Sequence, residues 1–254
     1  MDFNVLNGLK GLEIAGPSEI FSGQGLVPIY QRLVFVDDFS HPRPMAWRGR
    51  NLIAGQNFIY PGMKAPGYQF IGDATDLTGL APGAYDIVLG SHVLEHIANP
   101  IKALLAWNEV LREGGKMLQV IPHFDGTFDR HRPLTTLEHI ISDFERGTTE
   151  DDSTHYAEIR SRSTESHSTE WFLDAAQHRG AHHHVFDTYL AWQLFRHLGM
   201  VVLHLQPLMP HHIVILCEKP TANSASAIGP GELIRILSKS PFVRDRLRAE
   251  SLLK

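Results

Sequence analysis

The sequence predicts an α/β fold on one mainly parallel, doubly wound sheet. Three observations predict it. Short apolar runs alternate with segments of helical period. Those runs stop at Gly, Pro or Asp, the residues that punctuate strands. And 43% of the 254 residues are hydrophobic, enough to bury one large core. Lys plus Arg number 23 and Asp plus Glu 28, a formal charge of −5, which argues against nonspecific binding to nucleic acid. Cys217 is the one cysteine. It excludes an internal disulfide and a Cys-rich zinc finger, and it suits a reducing, cytoplasmic setting. No run approaches the ~18 apolar residues of a membrane span. Residues 1–10 lack the basic stretch and apolar run of a secretory leader.

The first strand is expected over 11–15 (GLEIA), stopped by Gly16-Pro17, and the second over 33–36 (LVFV), ended by Asp37-Asp38. Residues 41–67 are rich in Pro and Gly and read as irregular. A third strand is expected over 68–71, ending in Gly72-Asp73, and a buried fourth over 85–89. Asn99-Pro100 signals a helix start, because Asn caps free N–H groups and Pro tolerates the first turn. Ile101, Leu104, Leu105 and Leu111 form its apolar stripe, and Gly114-Gly115 is expected to stop it. A strand follows over 116–121. After it, 186–198 reads as the last core helix, capped by Asp187, and 201–205 with 213–216 as a closing hairpin.

The section 123–184 differs in composition. It has no Lys, six Arg, twelve acidic residues and nine of the 16 histidines. Thr135 with Glu138 reads as a capping box opening a helix that Gly147 ends. An insertion of this kind between core strands reads as a His-rich cap over the active site. The domain is thus expected over 1–220, with the cap at about 123–184. Residues 221–254 are then a linker and a helical tail that docks on the domain, on a second subunit as a homo-oligomer, or on a membrane surface.

Acidic residues fall at successive strand ends: Glu13, Asp37 with Asp38, and Asp73. Ligands of open α/β sheets bind there, and a carboxylate after the second strand can accept both ribose hydroxyls. The ribose could belong to NAD or to S-adenosylmethionine. A pyrophosphate needs a glycine-rich turn such as G-x-G-x-x-G. The turn here, Ala15-Gly16-Pro17-Ser18-Glu19, has one glycine, a proline without a donor and a carboxylate. It suits a phosphate-free, cationic sulfonium.

The stretches LEIAGPSE (12–19), VFVDD (34–38), IGDATDL (71–77) and, most specifically, YDIVLGSHVLEHIANPIKALLAWNEVLREGGKMLQVIPH (85–123) resemble class I S-adenosylmethionine-dependent methyltransferases. The resemblance covers about 10–123 and again 185–218. It implies a Rossmann-like methyltransferase sheet of about seven strands, mostly parallel with the last antiparallel, and a cytoplasmic enzyme of class EC 2.1.1. It also implies residue roles. Glu13, Ala15, Gly16 and Pro17 would lie under the methionine part and ribose, and Asp37 would take the ribose hydroxyls. Asp38 and Phe39 would lie beside the adenine, Asp73 and Ala74 would bracket it, and Ser91 and His92 would flank the methionine end. The first turn departs from the family in lacking its second and third glycines, and the segment 20–31 is short for the usual first helix. The insertion resembles a bacterial branch met in surface-polysaccharide biosynthesis, which points to a small-molecule or glycan acceptor.

Transfer to a hydroxyl needs a base, and neutral His is a good one near pH 7. His123 follows the fifth core strand, His131 lies close by, and His182, His183 and His184 precede the last core helix. Three readings compete. One of His123, His131 or the triplet His182, His183 and His184, with His183 the first choice within it, is the general base, oriented by Asp125 or Asp129. Or several histidines hold a divalent metal that orients a diol. Or they are polar contacts of the cap. Asp125, Asp129, Arg132, His155, His182 and His184 are the expected acceptor contacts. A non-catalytic cofactor-binding or scaffold module is the rival to an enzyme.

Overall fold

The computed structural model describes residues 3–42, 52–150, 152–162, 180–224 and 227–254. Eight strands form one sheet: β1 (Lys10–Ile14), β2 (Phe35–Ser40), β3 (Gly55–Phe58), β4 (Gly67–Ile71), β5 (Tyr85–Ser91), β6 (Leu111–Pro122), β7 (Val201–Leu208) and β8 (His212–Glu218). Their order is β3-β4-β2-β1-β5-β6-β8-β7. The five strands from β4 to β6 run parallel, while β8 pairs antiparallel with both β6 and β7. The α/β class and the closing hairpin are as the sequence predicts. The eighth strand, β3, falls in the stretch read as irregular and pairs antiparallel with β4.

Both faces of the sheet are buried, so the central strands are near-continuous apolar runs. Alternate residues serve opposite faces. Leu12, Ile14, Val88, Met117 and Ile215 pack with α1 (Pro100–Val110), α4 (Thr188–His197) and the tail helices α5 (Pro230–Ser238) and α6 (Val243–Leu252). Ile87, Leu89, Leu118, Val120 and Val214 pack with Phe21, Ile29 and Tyr30 from the short helical turns after β1. Trp107 is fully buried and gives its indole N–H to the Ala74 carbonyl at 2.8 Å, so it is core.

Three local expectations change. First, β2 does not end at Asp37-Asp38 but runs on to Ser40. Asp is disfavoured in strands, yet both carboxylates are satisfied here. Asp37 accepts the Tyr68 N–H at 2.7 Å and the Tyr85 O–H at 2.9 Å. Asp38 is fully buried and accepts the Gly16 N–H at 2.5 Å and Gln69 Nε2 at 2.6 Å. Second, α1 already ends at Val110, and Gly114 (φ +67°) lies inside β6 where the register with β5 shifts. Third, the cap of α2 (Leu137–Arg146) is Thr136, which accepts the His139 N–H at 3.2 Å. Thr135 instead bonds residue 185, its hydroxyl accepting the Val185 N–H at 2.9 Å. Asn99, Asp187 and Gly147 cap as expected.

The section expected as a cap contributes α2, which packs on α1 and α4 with Ile140 in the main core, and α3 (Ser153–Arg162). Its expected polar stretch over 163–179 lies outside the described residues, as do 43–51. The tail lies on the domain: Leu233, Leu237 and Ala249 join the main core, and Asp245 accepts the Thr188 hydroxyl at 2.6 Å.

Candidate active site

A cavity of about 610 Å³ opens at the carboxyl ends of β1, β5 and β6, beneath the cap. That volume is in the range of small-molecule sites. Two backbone positions shape its floor. Ala15, just past β1, has φ +57°, and His92, just past β5, has φ +53°. Non-glycine residues rarely take this left-handed region, and such outliers concentrate where a site fixes them. Between them the first turn folds onto Glu13. The Glu13 carboxylate is buried and accepts the Ser18 N–H at 3.0 Å and the Tyr30 O–H at 2.7 Å. Gly16 lies so close above it that a Cβ there would fall 2.2 Å from Oε2. Glycine is required at this position by close approach.

Ala15, Pro17 and Ser18 line this cavity, as do Ser91 and His92. Phe39 and Ala74 line a smaller hollow of about 30 Å³ that shares Ala15 and His96 with it. Asp73 lies exposed on the rim and accepts the Thr75 N–H at 2.8 Å. Asp37 borders neither space; its two oxygens serve Tyr68 and Tyr85.

The histidines separate sharply. His182 lines the cavity, and its Nδ1 lies 2.6 Å from Asp129 Oδ2. Arg132 donates to Asp129 Oδ1 at 2.7 Å and to the His182 carbonyl at 2.8 Å, locking the pair from behind. Burial opposes ionisation of Asp129, but the charges and hydrogen bonds of His182 and Arg132 outweigh it and hold its carboxyl below the usual range. Burial alone would likewise depress His182, and the Asp129 carboxylate reverses this, raising it.

His123 faces away from the cavity. It is fully buried, stacks on Phe242 with ring centroids 3.8 Å apart, and sets Nε2 3.2 Å from Asp245 Oδ1. Asp125 also serves the tail, accepting the Arg244 N–H at 2.8 Å. His131 is exposed beside Arg130. His183 is buried and lies next to His155 and Tyr156 in the cap, with its N–H on the Glu95 carbonyl at 2.7 Å. His155 and His184 belong to the cap interior. Of the histidines expected at the site, the cavity therefore receives His92 and His182.

The sequence reading missed three contributors. Glu95, His96 and His211 all line the cavity. His96 Nδ1 lies 3.1 Å from the carbonyl oxygen of Ala181, 85 residues away in sequence. Glu95 is buried, and neither carboxylate oxygen has a hydrogen-bond partner; His92 Nδ1 and His96 Nε2 each lie 3.7 Å away. Burial pushes its carboxyl up to about 7. His92 is pushed down to about 3 by burial and by its histidine neighbours, and its Nε2 lies 3.0 Å from His212 Nδ1. The legible signal was spacing: Glu95 and His96 follow Ser91-His92 by one turn, at the sheet rim.

By proximity of ligand atoms, three groups among the described residues could hold a metal: Glu95 with His96 and His182, His92 with His211 and His212, and His139 with Asp143, His155 and His184. Among the described residues, the cavity lining includes Glu19 and Glu95 but no Lys or Arg. Such a donor set, with orphaned carboxylate oxygens, fits a cationic ligand and not a pyrophosphate.

Among curated proteins, none matches this sequence. Solved structures overlap it broadly at low identity. A methyltransferase from Thermotoga maritima, described as a possible histamine N-methyltransferase, is 14% identical over 84% of this chain and 83% of its own, with a TM-score of 0.43. An O-methyltransferase family 2 protein from Planctomyces limnophilus is 16% identical over 84% of this chain and 50% of its own, at 0.44. A Burkholderia thailandensis 1,6-didemethyltoxoflavin N1-methyltransferase is 11% identical over 85% and 73%, at 0.46. Overlaps of that depth carry no argument about acceptor or chemistry. Residues 56–119 match the model of a methyltransferase domain family. Over that stretch, which includes β4, β5, α1 and most of β3, the chain is similar to a methyltransferase domain.

Proposed function

We propose that the domain methylates a hydroxyl of a small, glycan-like acceptor, with His182 as the general base. The observation that carries this reading is the relay Arg132–Asp129–His182 at the cavity wall. Asp129 occupies Nδ1 and so fixes the tautomer that leaves Nε2 as the proton acceptor. When bound, S-adenosylmethionine would supply an electrophilic methyl group carried on a sulfonium, and His182 would take the proton that the acceptor hydroxyl gives up. Ala15, Gly16, Pro17, Ser91 and His92 would hold the cofactor's methionine end, with the buried Glu95 carboxyl group in the same cavity wall. Phe39, Asp73 and Ala74 would flank the adenine, and Asp38 would keep the first turn in place through Gly16. Phe128 lines the cavity and is 39% exposed. An aromatic face of this kind suits the C–H face of a sugar ring.

The test is turnover of S-adenosylmethionine to its demethylated product against a panel of hydroxylated acceptors, with calorimetry of cofactor binding alongside. His182→Ala should lower kcat about 10²–10⁴-fold, as expected for loss of a general base, and leave cofactor affinity unchanged. Unaltered kcat in the variant would remove the base assignment. Cofactor binding without turnover of any acceptor class would favour a sensing or scaffold module.

A further inference from the structure

We propose that His139, Asp143, His155 and His184 bind one Zn²⁺ ion that staples the cap to the segment leading into α4. None of the four lines the cavity, so the site is separate from methyl transfer. Their ligand atoms all lie within 4.8 Å of one another. His139 Nε2 is 3.1 Å from His155 Nε2 and 3.1 Å from Asp143 Oδ2. Asp143 Oδ2 is 3.6 Å from His155 Nε2 and 3.8 Å from His184 Nε2. Zinc bonds of ~2.0–2.1 Å at tetrahedral angles put neighbouring ligands about 3.4 Å apart. These four separations bracket that spacing, and the other two are within 4.8 Å.

The chemistry agrees. Three imidazoles and one carboxylate are a closed, four-protein-ligand set, the pattern of a structural site rather than a catalytic one. Asp143 is fully buried, and its Oδ2, the oxygen facing the three rings, has no hydrogen-bond partner. Its other oxygen is held by Arg146 at 2.7 Å and Thr148 at 3.2 Å. Leaving a buried carboxylate oxygen unpaired is costly, and a cation at the centre of the cluster removes the cost. Asp152 lies 2.9 Å from His155 Nδ1. That is the carboxylate–histidine pairing which orients a metal-bound imidazole. His184 must release one contact, Nε2 to the Ala98 carbonyl at 3.2 Å.

The four ligands come from three places. His139 and Asp143 are one turn apart on one face of α2, His155 is on α3, and His184 lies in the segment before α4. An ion joining them ties both cap helices to the backbone two residues from His182. The alternative is a metal-free pair of His139 with Asp143.

Elemental analysis of tag-free protein decides between the two. About one zinc per chain is expected, with loss from Asp143→Ala and from His139→Gln and retention in His211→Ala. His139 is half exposed, so His139→Gln reads the site even if Asp143→Ala does not fold. A chelator should lower the Tm of the parent protein, added zinc should restore it, and the Tm of His139→Gln should respond to neither. Metal-free protein whose Tm does not move on adding zinc would overturn the site. So would zinc that survives His139→Gln or departs with His211→Ala.

Discussion

Asp129 and His182 are 53 residues apart in sequence and 2.6 Å apart in space, carboxylate oxygen to Nδ1. Asp129 touches no cavity space of its own, so its part is to position the ring. Asp129→Asn keeps the shape but can stabilise the opposite tautomer. We expect kcat to fall about 10²-fold or more with the KM for S-adenosylmethionine unchanged. Steady-state kinetics at saturating acceptor would show it; a KM change with intact kcat would argue against the positioning role.

His123 is the contrasting case. Its ring fills space between Phe242 and Asp245 beneath the tail. Truncation to Ala removes packing and leaves a buried carboxylate oxygen facing a void. A loss of about 2–4 kcal/mol in denaturant unfolding is expected, with kcat retained in the folded fraction. A large kcat loss without destabilisation would return His123 to the chemistry.

Asp37→Asn tests the ribose reading against the sheet reading. The carboxylate joins β2 to the Tyr68 amide and the Tyr85 hydroxyl, and its charge and the burial of Tyr85 hold that phenol well above its ordinary pKa. Stability should drop by about 1–2 kcal/mol, and calorimetry should find cofactor affinity within about twofold of the parent. A tenfold or greater loss of affinity would make Asp37 a cofactor ligand after all.

Acid should destabilise the fold. Burial holds His92 down to about 3 and His212 to about 4, against ~6.5 in an unfolded chain. Below pH 6.5 the unfolded chain therefore takes up protons that the folded one refuses. Stability is full above 6.5 and falls as pH drops toward 4, by up to about 1.4 kcal/mol per pH unit for each histidine. Denaturant midpoints at pH 7.5, 6 and 5 would record the slope, and His212→Gln should flatten it. A midpoint constant over that range would contradict the neutral state of these rings.

Much of the architecture was legible because its signals are local. The apolar runs of β5 and β6, Asn99 before Pro100 and Asp187 before α4 each fix an element within a few residues. The end of β2 was not, because Asp38 is satisfied in the strand by Ser40 together with Gly16 and Gln69, the last two far from it in sequence. Of the cavity's histidines, His92 and His182 were legible as site residues, whereas His96 and His211 were not, because contacts between distant segments place them. His92 and His212, 120 residues apart, meet because two strand ends converge. His123 follows β6 as directly as His92 follows β5, yet it turns to the other side, and no periodicity distinguishes them.

The last helix has a practical consequence. Asp245 gathers the hydroxyls of Thr188 and Ser240 and faces His123, directly behind the turn that leads from β6 into the cap. Anyone designing a shortened version at the polar stretch near residue 221, as though trimming an appendage, would be removing a wall of the building. The stub would expose the apolar seats of Leu233 and Leu237 to water. It would be expected to aggregate on expression rather than behave as a minimal catalyst.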